Sequence, residues 1–274
     1  MTTPILQVTG LQKAYQDGTL VLKGIDLTVQ RGEFIAVIGL SGAGKSTFLR
    51  CLNRLIEPTA GQIMVPAEIF LDEATPGLVD VTHLKGRSLR HLRRKIGMVF
   101  QQFNLVKRLS VLDNVLSGAL GYQDTWMSAL RLFSAADRQR ALLNLERVGL
   151  LEHAYRRADS LSGGQQQRVA IARVLMQKPA LILADEPVAS LDPKLSRQVL
   201  DILLRVCKED GITALVSLHT IELSKEYADR VIGLQGGHVF FDGPAGQLTD
   251  SIIENVYTKG DRIRGEAPTP HGGA

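Results

Sequence analysis

Three short stretches of this sequence hold residue types suited to phosphate chemistry. "GLSGAGKST", Gly39 to Thr47, follows an apolar run and opens a helical pattern. That context is what makes GxxxxGK[ST] credible as a phosphate loop rather than a plain strand-to-helix turn. Gly39, Gly42 and Gly44 permit tight curvature. The backbone N–H groups of Ser41, Ala43 and their neighbours can then close around phosphate oxygens at a helix N-terminus. Lys45 is expected to bridge the β- and γ-phosphates of a nucleotide. Ser46, followed by Thr47, is expected to offer a hydroxyl to Mg2+, a hard ion that takes oxygen ligands.

The second stretch, "ALILADE", is an apolar run that finishes in Asp185 and Glu186. Uncompensated carboxylates at a buried strand end cost several kcal/mol, so a cation or reacting group belongs beside them. Neighbouring strand residues point to opposite sides, which divides the work. Asp185 is expected in the Mg2+ shell and Glu186 as the general base for an attacking water. A helix N-cap ahead of "PVASLD" is the competing use of one acid. His219 closes a third apolar run, "ITALVSLH". A lone histidine is usually structural. At the same sheet edge as a phosphate loop it becomes a donor to the γ-phosphate or to the water.

The third stretch is "SLSGGQQQRVAIAR". Ser162, Gly163 and Gly164 at a helix start present a hydroxyl, bare N–H groups and a positive dipole end, which suits a γ-phosphate. A phosphate already wrapped by its own loop gains little from it, so a chain with two anion sites needs a reason for the second.

The elements that must position these groups alternate. Apolar, β-branched runs at 33–39, 180–186 and 212–219 read as buried parallel strands. Helical patterns cover 45–54, 164–177 and 193–209, the last opening on Pro193. The result is an α/β fold. "ILQVTGLQKAY" and "GIDLTVQRG" alternate apolar and polar residues, as in an antiparallel lobe with one wet face, and "HVFFDG" reads as a closing strand. Residues 104–160 lack strand runs and carry helical repeats from Ser134 onward, which predicts a helical subdomain. The expected division is a core over 1–103, the helical subdomain over 104–166, the rest of the core over 167–245, and a partly disordered extension over 246–274. No internal repeat is visible, so one nucleotide cassette is expected.

The chain has 274 residues, 45% of them hydrophobic, and a formal charge of +4. It can bury an ordinary core. No apolar run reaches membrane-spanning length and Met1 to Gly10 lacks a signal pattern, which predicts a protein made and kept in the cytosol. Cys51 and Cys207 fit neither a disulfide framework nor a zinc site and read as buried thiols. Lys85, Arg87, Arg90, Arg93, Arg94 and Lys95 crowd one segment. It is either a solvated helix face or a surface for nucleic acid or acidic lipid.

Taken together, Gly39 to Ser46, Gln101, Leu161 to Gln165, "LILADE", Ser190 to Asp192 and His219 resemble an ATP-binding cassette (ABC) ATPase over residues 5 to about 245. The fold this implies is a P-loop NTPase of RecA-like type: a mostly parallel sheet with an antiparallel lobe and an inserted helical subdomain. The substrate and cofactor implied are ATP and Mg2+. In that family two subunits pair head to tail, and each ATP lies between the phosphate loop of one chain and the LSGGQ segment of the other. This supplies the reason for two anion sites. The triphosphate joins a dimer that hydrolysis releases.

The same resemblance assigns Tyr15 to adenine stacking, Gln101 to Mg2+ and the water, Ser162 to Gln165 to the opposite ATP, and Asp192 to the partner subunit. Tyr15 alone could equally be a surface aromatic. The junction after Gln101 is where family members dock on a membrane-spanning permease. Phe103, Leu105 and Val106 are apolar there, as docking patch or as ordinary core.

"FQQFNLVKRLSVLDNVLSGALG", Trp126 with Phe133, and "LSGGQQQRVAIARVLMQKPALILADEPVASLDP" resemble the phosphonate-importer branch, with phosphite close behind and an amino acid as a further alternative. The stretch 65–95 and "SLHTIEL" depart from it. Such importers use a separate solute-binding protein and sit on the cytoplasmic face of the cell's inner membrane. The chain stops soon after 245, so no C-terminal regulatory domain is expected. Rival readings are a soluble ABC protein on nucleic acid or ribosome, a phosphotransferase or GTPase, and a non-hydrolysing module. Missing coiled coils, a single cassette, the LSGGQ segment without an NKxD motif, and intact Lys45, Asp185, Glu186 and His219 argue against them, and no nucleic acid partner is expected.

Overall fold

The computed structural model describes residues 3–71, 77–122 and 133–258. Trp126 and the tail from Asp261 lie outside these residues. The apolar runs read from the sequence form the strands β3 (Phe34–Ile38), β7 (Leu181–Ala184) and β8 (Thr213–Ser217), every residue of which is buried. Two further strands complete the parallel part: β6 (Ile96–Val99) and β9 (Arg230–Gln235). The sheet order is β10-β9-β3-β8-β7-β6, with β10 (His238–Pro244) the antiparallel edge. Continuous apolar sequence is what burial on both sheet faces demands.

Alternation along each strand splits the core in two. Phe34, Ala36, Ile38, Ile182, Ala184, Ala214 and Val216 face the helical layer. Ile35, Val37, Leu181, Leu183 and Leu215 face the other way, onto Phe48, Leu49 and Leu52 of α1 (Lys45–Leu52) and onto the lobe. That lobe is a four-stranded sheet in the order β2-β1-β4-β5. Its strands are β1 (Leu6–Ala14), β2 (Leu20–Val29), β4 (Ala60–Pro66) and β5 (Leu78–Asp80). Neighbours are antiparallel. The short α2 (Ala67–Leu71) and the basic α3 (Gly86–Lys95) follow.

Between β6 and β7 the described residues hold α4 (Val111–Leu116), a 3-10 turn over Ser117–Tyr122, α5 (Ala135–Arg147) and α6 (Gly163–Leu175). The helical repeat read from Ser134 is α5, which Ser134 caps together with Asp137. Helix α7 (Pro193–Asp210) starts with Pro193 in its first turn and ends at Gly211, φ 65. Helices α8 (Ile221–Tyr227) and α9 (Asp250–Tyr257) complete the described chain. Helix α9 lies in the extension expected to be partly disordered, and its Val256 is fully buried.

Both cysteines are buried and free, and burial pushes each thiol up to about 12. Among the described residues no helix is long and apolar enough to cross a membrane.

Candidate functional site

The sheet order determines the site. The phosphate loop follows β3, His219 follows β8, Asp185 and Glu186 follow β7, and Gln101 follows β6. These four strands are adjacent, so their C-terminal ends present all of these groups along one edge.

In the loop, Gly39, Gly42 and Gly44 have φ of 145°, 83° and 99°. Gly39 has a second reason to be glycine: a Cβ there would fall inside the shell of the Leu234 carbonyl oxygen. Lys45 is buried at 4% exposure, and its ammonium donates to the carbonyls of Gly39 (2.8 Å) and Leu40 (3.1 Å). Burial pulls its pKa below the ordinary lysine value, while Glu186 and Asp185 oppose that shift.

Ser46 Oγ donates to Asp185 Oδ1 at 2.7 Å, joining the loop to the end of β7. Asp185, only 2% exposed, also takes a two-pronged contact from Arg50, whose Nε and Nη2 lie 3.1 and 2.8 Å from Oδ2. Among the described residues no three His, Cys, Asp or Glu gather as a metal cage. One carboxylate and one hydroxyl still suit Mg2+, which keeps waters and shares phosphate oxygens.

Glu186 requires a correction to the strand-alternation argument. Strand β7 ends at Ala184, so the two acids lie beyond the pleat. What separates their faces is Glu186 itself, a non-glycine residue at φ 50. Its N–H donates to Ser217 Oγ at 2.7 Å, which steadies this costly backbone. Its carboxylate Oε1 lies 2.5 Å from Nε2 of His219. Both line a cleft of about 500 Å3 with Val188, Ala189 and Leu191. No helix begins at Pro187, so neither acid serves as the N-cap that competed for them.

Ser162 caps α6 in a reciprocal box: Gln165 N–H donates to Ser162 Oγ (3.4 Å), and Ser162 N–H donates to Gln165 Oε1 (2.9 Å). Gly163 and Gly164 pack against Leu191 and Leu195, where a Cβ would stand at 3.4 Å from each leucine. The side-chain bonds of Ser162 and Gln165 run to each other and to His153, and none reaches the phosphate loop. The structure thus brings Lys45, Ser46, Asp185, Glu186 and His219 to one sheet edge, with no side-chain bond joining Ser162 or Gln165 to them.

Comparison with known proteins gives the family. A family model described as ABC transporter matches residues 22–189. The chain belongs to the ABC transporter family. The phosphonates import ATP-binding protein PhnC 2 of Halalkalibacterium halodurans is 53% identical over 253 residues, covering 92% of this chain and 99% of that protein. A phosphonates import ATP-binding protein of Rhodopseudomonas palustris is 46% identical, covering 95% of this chain and 92% of its own length. A dimeric ATP-binding cassette solved in a post-hydrolysis state with ADP and Pi aligns at TM-score 0.74 and 34% identity, covering 88% of this chain and 98% of that one.

In this ABC cassette the remaining expected residues fall as follows. Tyr15 lies in the turn after β1, 42% exposed, with its hydroxyl 3.3 Å from Thr47 Oγ1, so an aromatic face stands beside the loop. Gln101 is exposed and lines a cleft of about 520 Å3 with Arg50, Leu55 and Ile56. Asp192 caps α7, accepting from the N–H groups of Lys194 and Leu195 at 3.0 Å each. Val106 is 54% exposed, whereas Leu105 packs against the core and Phe103 is half-buried.

Sequence reasoning missed four supporting groups. Arg50 and Ser217 hold the acids, and a hydroxyl near the end of a buried strand was a usable signal for Ser217. His153 Nε2 lies 3.1 Å from Gln165 Nε2 and steadies the capping box. Arg173 donates to the carbonyls of Asn104 (2.6 Å) and Phe103 (2.8 Å), tying α6 to a junction where both residues have positive φ. Nothing local marks His153 or Arg173.

Proposed function

We propose that this chain is the ATP-binding and ATP-hydrolysing subunit of an importer that energises uptake of phosphonate or a related phosphorus oxyanion such as phosphite. The carrying observation for the chemistry is the convergence of Lys45, Ser46, Asp185, Glu186 and His219 on one sheet edge. Near-full-length identity to phosphonates import proteins carries the cargo.

The assigned roles follow from placement. Lys45 leaves its two carbonyl partners for the β- and γ-phosphates, exchanging weak acceptors for charged ones. Ser46, Asp185 and Gln101 hold Mg2+, which when bound neutralises charge on the triphosphate. Glu186 takes the proton of the attacking water, and His219, fixed by its contact with Glu186, donates toward the γ-phosphate. Tyr15 stacks on adenine. Ser162, Gly163, Gly164 and Gln165 close over the ATP of a second copy, with Asp192 at the shared interface.

The other assignments concern the membrane side. Integral permease subunits dock over the cleft beside Gln101, where Leu55 and Val106 are exposed, and place the chain on the cytoplasmic face of the membrane. A solute-binding protein delivers cargo on the far side.

The test is growth of a deletion strain on phosphonate or phosphite as sole phosphorus source. Loss of growth restored by the wild-type gene but not by Glu186→Gln supports the reading. Normal growth and uptake on both sources discards it.

A further inference from the structure

The nucleotide chemistry leaves one cationic feature unused. Helix α3 carries Arg90, Arg93 and Arg94 at i, i+3 and i+4, which stacks them along one face. They line a cleft of about 290 Å3 together with Ser117, Gly121 and Gln177. Each guanidinium is held by part of its fork. Arg90 Nη2 donates to the Leu120 carbonyl at 3.2 Å. Arg93 donates to the carbonyls of Asn53 (3.3 Å) and Arg54, just past the end of α1. Arg94 Nη2 pairs with His91 Nδ1 at 2.8 Å, and its guanidinium lies 4.8 Å from the ring centroid of Tyr122. The Tyr122 hydroxyl in turn donates to the Gln177 carbonyl. At Gly121 a Cβ would come within 2.9 Å of Arg94 Cγ, so the glycine leaves room for the arginine stem.

Arg50, Arg147, Arg157, Arg197 and Arg230 pair with carboxylates, whereas Arg168 and Arg173 are held by carbonyls. Among the described residues no carboxylate pairs with Arg90, Arg93 or Arg94. Arg94 Nε and Gln177 Oε1 are buried away from the cleft, Oε1 lying 3.4 Å from where a Cβ on Gly97 of β6 would stand. The donors open to a ligand are therefore the remaining guanidinium N–H groups of the arginines.

We propose that this cleft is a binding site for a small tetrahedral oxyanion, such as inorganic phosphate. The remaining N–H groups of the three arginines take its oxygens. The volume admits a phosphoryl group with a short substituent. An anion here competes for the donors Arg93 gives to the end of α1, the helix that begins at Lys45. The inference stands on this cleft alone and holds whatever cargo the importer carries.

The test is calorimetric titration of the full chain carrying Lys45→Ala, which disables the phosphate loop, with inorganic phosphate and with sulfate at constant ionic strength. Phosphate is expected to bind at one site per chain, and sulfate, of like size and charge, to compete for that site. Arg90→Gln and Arg94→Lys should each weaken phosphate by about tenfold or more. Arg138→Gln, on α5, should change nothing. Arg90 is exposed and makes a single hydrogen bond among the described residues, so its variant tests the site without threatening the fold. Phosphate affinity equal in Arg90→Gln, Arg94→Lys and the parent overturns the site. Binding only to phosphatidylglycerol vesicles, with none to phosphate, overturns the free-anion assignment in favour of a lipid headgroup.

Discussion

Glu186 combines three constraints that rarely meet in one residue: a positive φ, a backbone N–H bound to Ser217 and a carboxylate against His219. Removing only its basicity should therefore leave the geometry standing. Glu186→Gln is expected to lower ATP turnover by at least about 100-fold while nucleotide binding persists, measured by phosphate release and by equilibrium binding side by side. A variant hydrolysing near the wild-type rate would remove Glu186 as the base. Gly39 is constrained differently. With φ 145 and the Leu234 carbonyl where a Cβ would go, Gly39→Ala should destabilise the chain by about 2–4 kcal/mol, read from denaturant midpoints. Cys51 and Cys207, with thiols pushed up to about 12, hold on the order of one thiolate in ten thousand at pH 8. Neither should react with iodoacetamide in the native chain at pH 8, and both should react once it is unfolded, as mass spectrometry will show.

The helices that carry the site are capped by residues with a second expected role. Asp192 accepts from two N–H groups at the start of the 18-residue α7, and Ser162 from one at the start of α6. Asp192→Ala should cost about 1 kcal/mol and lower Tm by about 2–4 °C, separably from any effect at a subunit interface. Arg173 links α6 to the junction beyond Gln101. Burial pulls its guanidinium below the ordinary arginine pKa, and two carbonyls compensate. Arg173→Met should free residues 103–106 and raise their amide exchange at least about tenfold, with β3 and β8 unaffected. Exchange unchanged at the junction would show that α6 does not hold it.

Across the whole molecule, the side-chain bonds of Ser162 and Gln165 run to each other and to His153, and none to the phosphate loop. The proposed sharing of each ATP between two copies can be tested by complementation. Mixing Lys45→Ala chains with Ser162→Arg chains at equal amounts makes about half of the dimers mixed, each with one intact site. ATPase activity should return to about a quarter of wild type. No recovery at any ratio would count against sharing.

What could be read from residues alone was whatever short-range physics decides. The glycine spacing around Lys45, the apolar runs of β3, β7 and β8, the Pro193 start of α7 and the Ser134 start of α5 are local, and each was legible. Strands β6 and β9 escaped because a glycine interrupts each run, Gly97 in "IGMV" and Gly233 in "RVIGLQ", and they become strands only beside β7 and β3. Tertiary structure alone decided that β8 lies between β3 and β7, which seats His219 between the phosphate loop and the two acids. It also decided that Arg50 reaches Asp185 across 135 positions of sequence. Strand order is set by which faces can be buried together, a long-range packing outcome that no local pattern encodes.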